Sequence, residues 1–382
     1  MSGTMKLGIS LYPGLDNSPE ENLELLRQAA ELGYTRVFTS LQIPESDPER
    51  LHREAAGLFA TAEEAGMEII SDVSPATCAI LRLEELTPKA LREQHIHRVR
   101  FDFGIPVDTI AEFSREMPVQ LNASTIRADF LEALRMAGAD FGNIDALHNF
   151  YPRPHTGLAE DFLLRQNLLL EKYAIRTGAF IPGSLRKRSP LREGLPTLER
   201  HRREKPETAL EELAGLKTDS AFFSDSLPTP KELTIVSERN SATSHILPLD
   251  VSGNLLSSDS EAPISEVILP VSITSPFLSH LLDRKLFNRK DKAAEVIRVE
   301  EARNLLKSEM ILPEHTGVGI LPPGTIILDN ENYGRYKGEM QILLRPLPAD
   351  ARSNIAGRVR EDCLDRLPLI ANGTPFRFIP AD

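Results

Sequence analysis

The chain has 382 residues, of which 41% are hydrophobic and 26% charged, so it can build one large and one small domain with a real core. Its net charge of −12 disfavours nucleic acid or an anionic membrane surface as a partner. With two cysteines, no apolar leader and no apolar run of membrane-spanning length, we expect a cytoplasmic protein without a disulfide framework.

The first part of the chain, roughly 230 residues, repeats a short apolar run followed by an amphipathic segment. The predicted strands are 6–12, 35–40, 67–73, 97–103, 118–124, 143–150, 175–181 and 220–225. Helix-start signals follow the first two: Ser18 to Glu21 forms a capping-box pattern, and Asp47-Pro48 begins the next helix. Eight strand–helix units predict an α/β fold, a (β/α)8 barrel over residues 1–235. A doubly wound sheet is the alternative, but the first turn, 10–14, lacks the glycine pattern of its nucleotide-binding forms.

The second part of the chain has the alternation typical of half-buried antiparallel strands. The runs concerned are 244–251, 263–273, 324–330 and 338–347. One amphipathic helix is predicted at about 291–307. We therefore predict a small β-barrel or sandwich domain over residues 240–382.

Polar side chains gather where the barrel strands end, which is where (β/α)8 barrels place their active sites. They include Asp72, Asp102, Asn122, His148 and Asn149. A buried polar group left unpaired costs about 1–3 kcal/mol, so packing alone does not explain such a ring.

Asp102, between two aromatic residues at the end of the fourth strand, is the strongest candidate for a catalytic acid. Glycosidases place two carboxyl groups across a sugar, about 5–5.5 Å apart for retention and about 6.5–9.5 Å for inversion. Asp72 is a second candidate, although it can equally cap a helix or pair with Arg100. Glu45 and Glu199 are further candidates whose alternative role is that of a first-turn helix acid.

Basic residues point to an anionic ligand. The loop after the seventh strand, 183–194, carries Arg186, Lys187, Arg188 and Arg192. Loops at this position of a barrel often bind phosphate, and arginine suits bidentate contact with it. We interpret Lys187 and Arg188 as solvated surface charges. Arg153, held between two prolines, is favoured as a binding residue, and a phosphorylated small substrate would fit.

No metal site or cofactor is expected. His95 and His97 have a spacing seen in zinc sites, but they precede the fourth strand at the inert end of the barrel and are better explained as surface histidines. His148 is expected to hydrogen-bond sugar hydroxyls or another side chain.

Segments along nearly the whole chain resemble the bacterial family of 6-phospho-N-acetylmuramidases, first catalogued as a domain of unknown function with outer-surface-protein names. They are GISLYP (8–13), FTSLQIPESD (38–47), DVS (72–74), VRFDFG (99–104), LNASTI (121–126), LHNFYPRPHTG (147–157), GLPTLERHR (194–202) and DNENYGRYKGEMQ (329–341). The resemblance implies a barrel followed by a cyclophilin-like β-barrel. It also implies hydrolysis of a 6-phosphorylated disaccharide to N-acetylmuramic acid 6-phosphate and N-acetylglucosamine in cell-wall recycling.

By motif, the resemblance implies Asp102 as an essential acid. Together with the arguments above, the predicted catalytic residues are Asp102, Asp72 and Glu199. The predicted substrate-binding residues are Asn122, His148, Asn149, Tyr151, Arg153, Arg186 and Glu45. Which acid donates the proton stays open, and a 2-acetamido group could supply the nucleophile itself.

Two other functions remain compatible with the sequence. A barrel can also be a sugar-phosphate isomerase or epimerase, which usually holds a metal, or a non-catalytic sugar-phosphate sensor. In each case the expected partner is a small phosphorylated sugar, and homo-oligomerisation is left open.

Overall fold

The computed structural model describes residues 4–73, 75–102, 104–242, 266–314 and 319–381. The chain divides into two compact units. One comprises Met1–Pro152 and Asp161–Ser252, and the other comprises Arg153–Glu160 and Gly253–Asp382. The segment Arg153–Glu160 thus belongs with the second unit, although our predicted domain limits put it in the first. None of the described helices is both long and apolar enough to span a bilayer.

Eight parallel strands close into a barrel in the first unit, and all eight predicted strands are confirmed. They are β1 (Lys6–Ser10), β2 (Arg36–Ser40), β3 (Glu68–Asp72), β4 (Arg98–Phe101), β5 (Val119–Asn122), β6 (Ile144–Leu147), β7 (Arg176–Ile181) and β8 (Ser220–Phe223). Each strand pairs with the next, and β8 pairs with β1 to close the ring. The (β/α)8 prediction is therefore correct.

Helices separate the barrel strands. They are α1 (Pro19–Glu31), α2 (Pro48–Glu64), α3 (Pro75–Leu81), α4 (Pro88–Glu93), α5 (Val107–Glu116), α6 (Ala128–Met136), α7 (Glu160–Glu171), α8 (Pro206–Gly215) and α9 (Pro230–Ala242), with short 3₁₀ turns at Phe141–Asn143 and Glu199–Arg203. The capping box is confirmed: Ser18 Oγ accepts from Glu21 N, and Glu21 accepts from Ser18 N. Asp47 caps α2 as predicted.

The barrel interior contains ion pairs near the amino-terminal ends of the strands. Arg36 of β2 donates to Asp145 of β6 at 2.5 Å and to Glu68 of β3 at 2.8 Å. Strands β2 and β6 are not neighbours, so the Arg36–Asp145 pair must cross the interior. Aromatic and aliphatic side chains, including Phe38 and Phe180, fill the next layer. The polar strand ends lie on the carboxyl-terminal side of this apolar layer, which supports them.

The second unit contains a mixed sheet. Its elements are β9 (Val267–Ile273), α10 (Pro276–Ser279), β10 (Leu286–Phe287), β11 (Val296–Arg298), α11 (Ala302–Leu305), β12 (Ile320–Leu321), β13 (Thr325–Asp329), β14 (Met340–Leu343), β15 (Leu347–Pro348), β16 (Ser353–Val359) and β17 (Pro375–Pro380), with 3₁₀ turns at Glu331–Tyr336 and Glu361–Leu369. The strand order is β10-β17-β9-β16-β13-β14-β11, and β17 runs parallel to β9. A bridge between Asn288 and Val299 brings the two edges together, so the sheet curls into a half-barrel.

The helix predicted at about 291–307 is wrong. Residues 296–298 form β11 and pair with β14, and only Ala302–Leu305 is α-helical. Val296 and Ile297 belong to different apolar clusters, one on each side of the strand. A strand that buries apolar residues on both faces does not show the alternation of apolar and polar residues by which a strand is recognised. This segment therefore resembled a helix. The predicted strand 244–251 lies outside the described residues.

Candidate functional site

Two of the predicted acids lie at the ends of neighbouring strands. Asp72 is the last residue of β3, and Asp102 directly follows β4. Arg100 of β4 lies between them: its Nη1 is 2.8 Å from Asp72 Oδ1 and 3.6 Å from Asp102 Oδ1. Arg100 is only 3% exposed. One buried guanidinium therefore holds both carboxylates at the same edge of the barrel.

This shared nitrogen limits the spacing of the two acids. The two contacted oxygens can be no further apart than both distances combined, about 6.4 Å, so the two carboxylates are close enough to act on the same glycosidic bond. The acids also differ in environment, because the Asp72 side chain is 16% exposed and that of Asp102 is 37% exposed. Burial raises the pKa of Asp72 and outweighs the opposing effect of Arg100, while the charge of Asp102 raises it further.

Two asparagines orient the charged groups. Asn122 Nδ2 donates to Asp102 Oδ1 at 2.6 Å, and Asn122 Oδ1 accepts from Ser124 N at 3.0 Å. Asn149 Oδ1 accepts from Arg100 Nη2 at 2.7 Å. Within the described part of the chain, Asn149 Nδ2 has no hydrogen-bond partner. This amide can therefore donate to a ligand.

His148 lies behind the polar cluster and is fully buried. Its Nε2 lies 2.9 Å from Asn167 Oδ1, and its Nδ1 lies 3.2 Å from Ser124 Oγ, which in turn accepts from Asn149 N. Burial lowers the pKa of His148 to about 4, so the ring is neutral near pH 7. A neutral ring with its proton on Nε2 satisfies both contacts. His148 thus hydrogen-bonds other side chains and fixes the backbone at Asn149.

Tyr151 is buried beside this cluster. Tyr151 interacts electrostatically with Arg100, so its hydroxyl lies near the guanidinium. Its backbone is held on both sides, because its N–H donates to Pro196 O and its carbonyl accepts from Arg202.

The structure does not place Glu199 in this cluster. Both carboxylate oxygens of Glu199 accept from Arg202, at 2.6 and 2.7 Å, and the side chain is 4% exposed. Arg202 also donates to the carbonyls of Gly194 and Tyr151. The pair therefore ties the loop after β7 to the loop after β6.

The predicted cationic residues also have protein partners. Arg186 makes a two-pronged contact with Glu21, at 2.7 and 2.8 Å, and donates to Asn17. Arg153 lies in the second unit, 2% exposed, and pairs with both oxygens of Asp329 at 2.7 and 3.0 Å. Glu45 lies in an exposed turn after β2.

The residue-based predictions overlooked Arg100 as an organiser of the site. Its signal is present in VRFDFG, because residues 100 and 102 are two apart and so share one face of a strand. Among the described residues of the barrel unit, no three His, Cys, Asp or Glu side chains converge as metal ligands would.

The comparisons with known proteins agree with this architecture. Residues 7–238 match the family model described as 6-phospho-N-acetylmuramidase, N-terminal, and residues 267–379 match its C-terminal counterpart. A solved structure of a conserved Enterococcus faecalis protein of unknown function is 29% identical, with a TM-score of 0.55 over 98% of this chain and 96% of that one. An uncharacterized B. cereus protein is 25% identical, with a TM-score of 0.53 over 98% and 99%. No curated protein matches. The chain belongs to the 6-phospho-N-acetylmuramidase family, whose name denotes a glycosidase.

Proposed function

We propose that this protein hydrolyses the disaccharide of N-acetylmuramic acid 6-phosphate and N-acetylglucosamine in the cytoplasm during cell-wall recycling. The observation that carries the proposal is the pair Asp72 and Asp102 held at one edge of the barrel by Arg100. Two carboxylates with their contacted oxygens within about 6.4 Å of each other can flank one glycosidic bond, and we assign the retaining route to them. The family membership supports the choice of sugar.

In this mechanism Asp72 is the proton donor. Its raised pKa favours the protonated form, and it passes that proton to the glycosidic oxygen as the bond to the anomeric carbon breaks. N-acetylglucosamine leaves with the proton. Water later attacks the anomeric carbon and returns a proton to Asp72.

Asp102 stabilises the positive charge that develops on the sugar. Asn122 orients its carboxylate toward the positive charge that develops at the anomeric carbon. Asp102 either attacks that carbon or orients the 2-acetamido group, which then attacks in its place. Both routes retain the anomeric configuration because two displacements occur in succession.

The test is turnover of the disaccharide with and without its 6-phosphate. We expect the wild type to cleave the phosphorylated form, and Asp72→Asn and Asp102→Asn each to lose about 10²–10⁴-fold in rate. Asp129→Asn is the matched control, because its side chain is 79% exposed on α6. An intact substrate under conditions in which an authentic muramidase cleaves it would refute the proposal. Metal-dependent interconversion of the free sugar phosphate without cleavage of the disaccharide would favour the isomerase or epimerase alternative, and binding without turnover would favour the sensor.

A further inference from the structure

The loop after β7 contains a second buried cation, Arg188, which the sequence analysis assigned to the solvated surface. Arg188 is 3% exposed. Its guanidinium carbon lies 5.0 Å from the centre of the Tyr12 ring and 4.7 Å from the centre of the Phe150 ring. We call Arg188 and these two rings the clamp. Tyr12 follows β1 and Phe150 follows β6, so the clamp lies at the carboxyl ends of the strands.

Both rings of this clamp are fixed in place. Tyr12 Oη donates to Ser224 O at 2.8 Å. Phe150 packs edge-on against Phe38 and Phe180, with ring centres 6.1 and 5.0 Å away. Rings that contact a guanidinium through cation–π interactions leave the N–H groups that are not directed at Tyr12 able to bind a planar or tetrahedral anion.

Arg188 has no carboxylate partner among the residues that the structure describes. Its Nε is shielded from solvent and makes no hydrogen bond within that part of the chain. Asp225 is the nearby acid, but its oxygens accept the backbone N–H groups of Gly183 and Arg188, each at 3.1 Å. Asp225 therefore positions the loop rather than pairing with the guanidinium. Arg186, two residues earlier, is by contrast fully engaged by Glu21.

A buried cation without a direct salt bridge is costly to the folded protein, and the charge of Asp225 and the cation–π contacts offset only part of that cost. An anion that bound the N–H edge would supply the missing partner. The clamp adjoins the acid cluster directly, because Phe150 follows Asn149, whose side chain accepts from Arg100. An anionic group on a sugar held at Asp72 and Asp102 would therefore lie within reach.

We infer that Arg188, clamped by Tyr12 and Phe150, binds the 6-phosphate of the substrate and confers selectivity for phosphorylated sugars. This inference rests on the proposed function for the choice of substrate. A muramyl sugar also carries a lactyl carboxylate, which offers similar anion chemistry. The phosphate is favoured because a dianion compensates a buried guanidinium better than a monoanion.

The experiment measures binding by calorimetry to three sugars, using wild type, Arg188→Met, Arg188→Lys and Arg192→Met. The sugars are N-acetylglucosamine 6-phosphate, which lacks the carboxylate, N-acetylmuramic acid, which lacks the phosphate, and N-acetylmuramic acid 6-phosphate. Arg192 is the control because it lies in the same loop and is 70% exposed. We expect Arg188→Met to weaken binding of both 6-phosphates on the order of 100-fold, Arg188→Lys to have an intermediate effect, and Arg192→Met to bind as wild type.

Thermal stability separates this role from a structural one. Replacing an unpaired buried charge by an apolar side chain of similar length should leave the melting temperature unchanged or higher. A large fall in melting temperature in both Arg188 variants would indicate a structural role and overturn the inference. Unchanged binding of N-acetylglucosamine 6-phosphate by Arg188→Met would also overturn the inference. So would a defect confined to N-acetylmuramic acid, or a wild type that binds neither 6-phosphate. Selective binding of the 6-phosphates without hydrolysis would support the role of Arg188 as the phosphate ligand while refuting the proposed hydrolase activity.

Discussion

The pH dependence of stability gives a quantitative test of the role of His148, which supports the acid cluster through Ser124 and Asn149. We predict that this buried imidazole makes the barrel sensitive to acid and that His148→Gln removes the part of that sensitivity that is due to this residue. Burial lowers the pKa of His148 to about 4, whereas an unfolded chain has a histidine pKa of 6.5. Between these two values the unfolded chain binds more protons than the folded one, so stability falls as the pH falls through this window.

The magnitude follows from the difference of about 2.5 pKa units. Each unit corresponds to about 1.4 kcal/mol, so the folded barrel should lose about 3 kcal/mol of unfolding free energy between pH 6.5 and the region below pH 4. Other groups titrate in the same range. The informative quantity is therefore the difference between wild type and His148→Gln in urea unfolding, measured across this pH range.

His280→Gln is the control, since His280 is exposed in the second unit. A pH-independent difference between wild type and His148→Gln would contradict the reasoning. So would an NMR titration in which the His148 ring titrates near pH 6.5. The variant should also lower turnover modestly, because His148 fixes Ser124 and thereby the backbone of Asn149.

Three further predictions follow from other contacts. NMR of the fresh product should show retained anomeric configuration, and an inverted product would contradict the retaining route assigned to Asp72 and Asp102. Asp329→Asn should destabilise the second unit by about 3–5 kcal/mol because it removes the carboxylate charge that neutralises buried Arg153, whereas exposed Asp362→Asn should change the unfolding free energy by less than about 1 kcal/mol. Burial raises the pKa of Asp225 to about 6, so its contribution to stability is lost as the pH rises from about 4 through 6, and Asp225→Asn should abolish that slope in urea unfolding.

The barrel was predictable because the sequence patterns that indicate its strands and helices involve residues close together in the chain. Each strand is a short apolar run between helix signals such as the capping box at Ser18 and Glu21, and eight repeats leave few alternatives. The second unit was predicted less well, because a strand such as Val296–Arg298 is apolar on both faces and carries no alternation. Its pairing with Met340–Leu343 depends on residues more than 40 positions away.

The site was predictable only in part, for a related reason. Strand ends converge in any barrel, so Asp72, Asp102 and Asn122 could be placed together from the strand pattern alone. Ion pairs depend on partners that are distant in sequence. Nothing near Arg153 in the chain indicates that Asp329, 176 residues later, neutralises it.

Loop 183–194 shows why the type of a residue is not enough to assign its role. Arg186 and Arg188 have the same chemistry and are two positions apart, yet Glu21 engages one, and Tyr12 and Phe150 clamp the other. An arginine matched to a protein carboxylate has little left to offer a ligand, whereas a buried one that lacks such a partner gains most from an anion. The residue that binds the substrate anion is therefore identified by the interaction that it lacks in the folded protein, and a sequence does not record that.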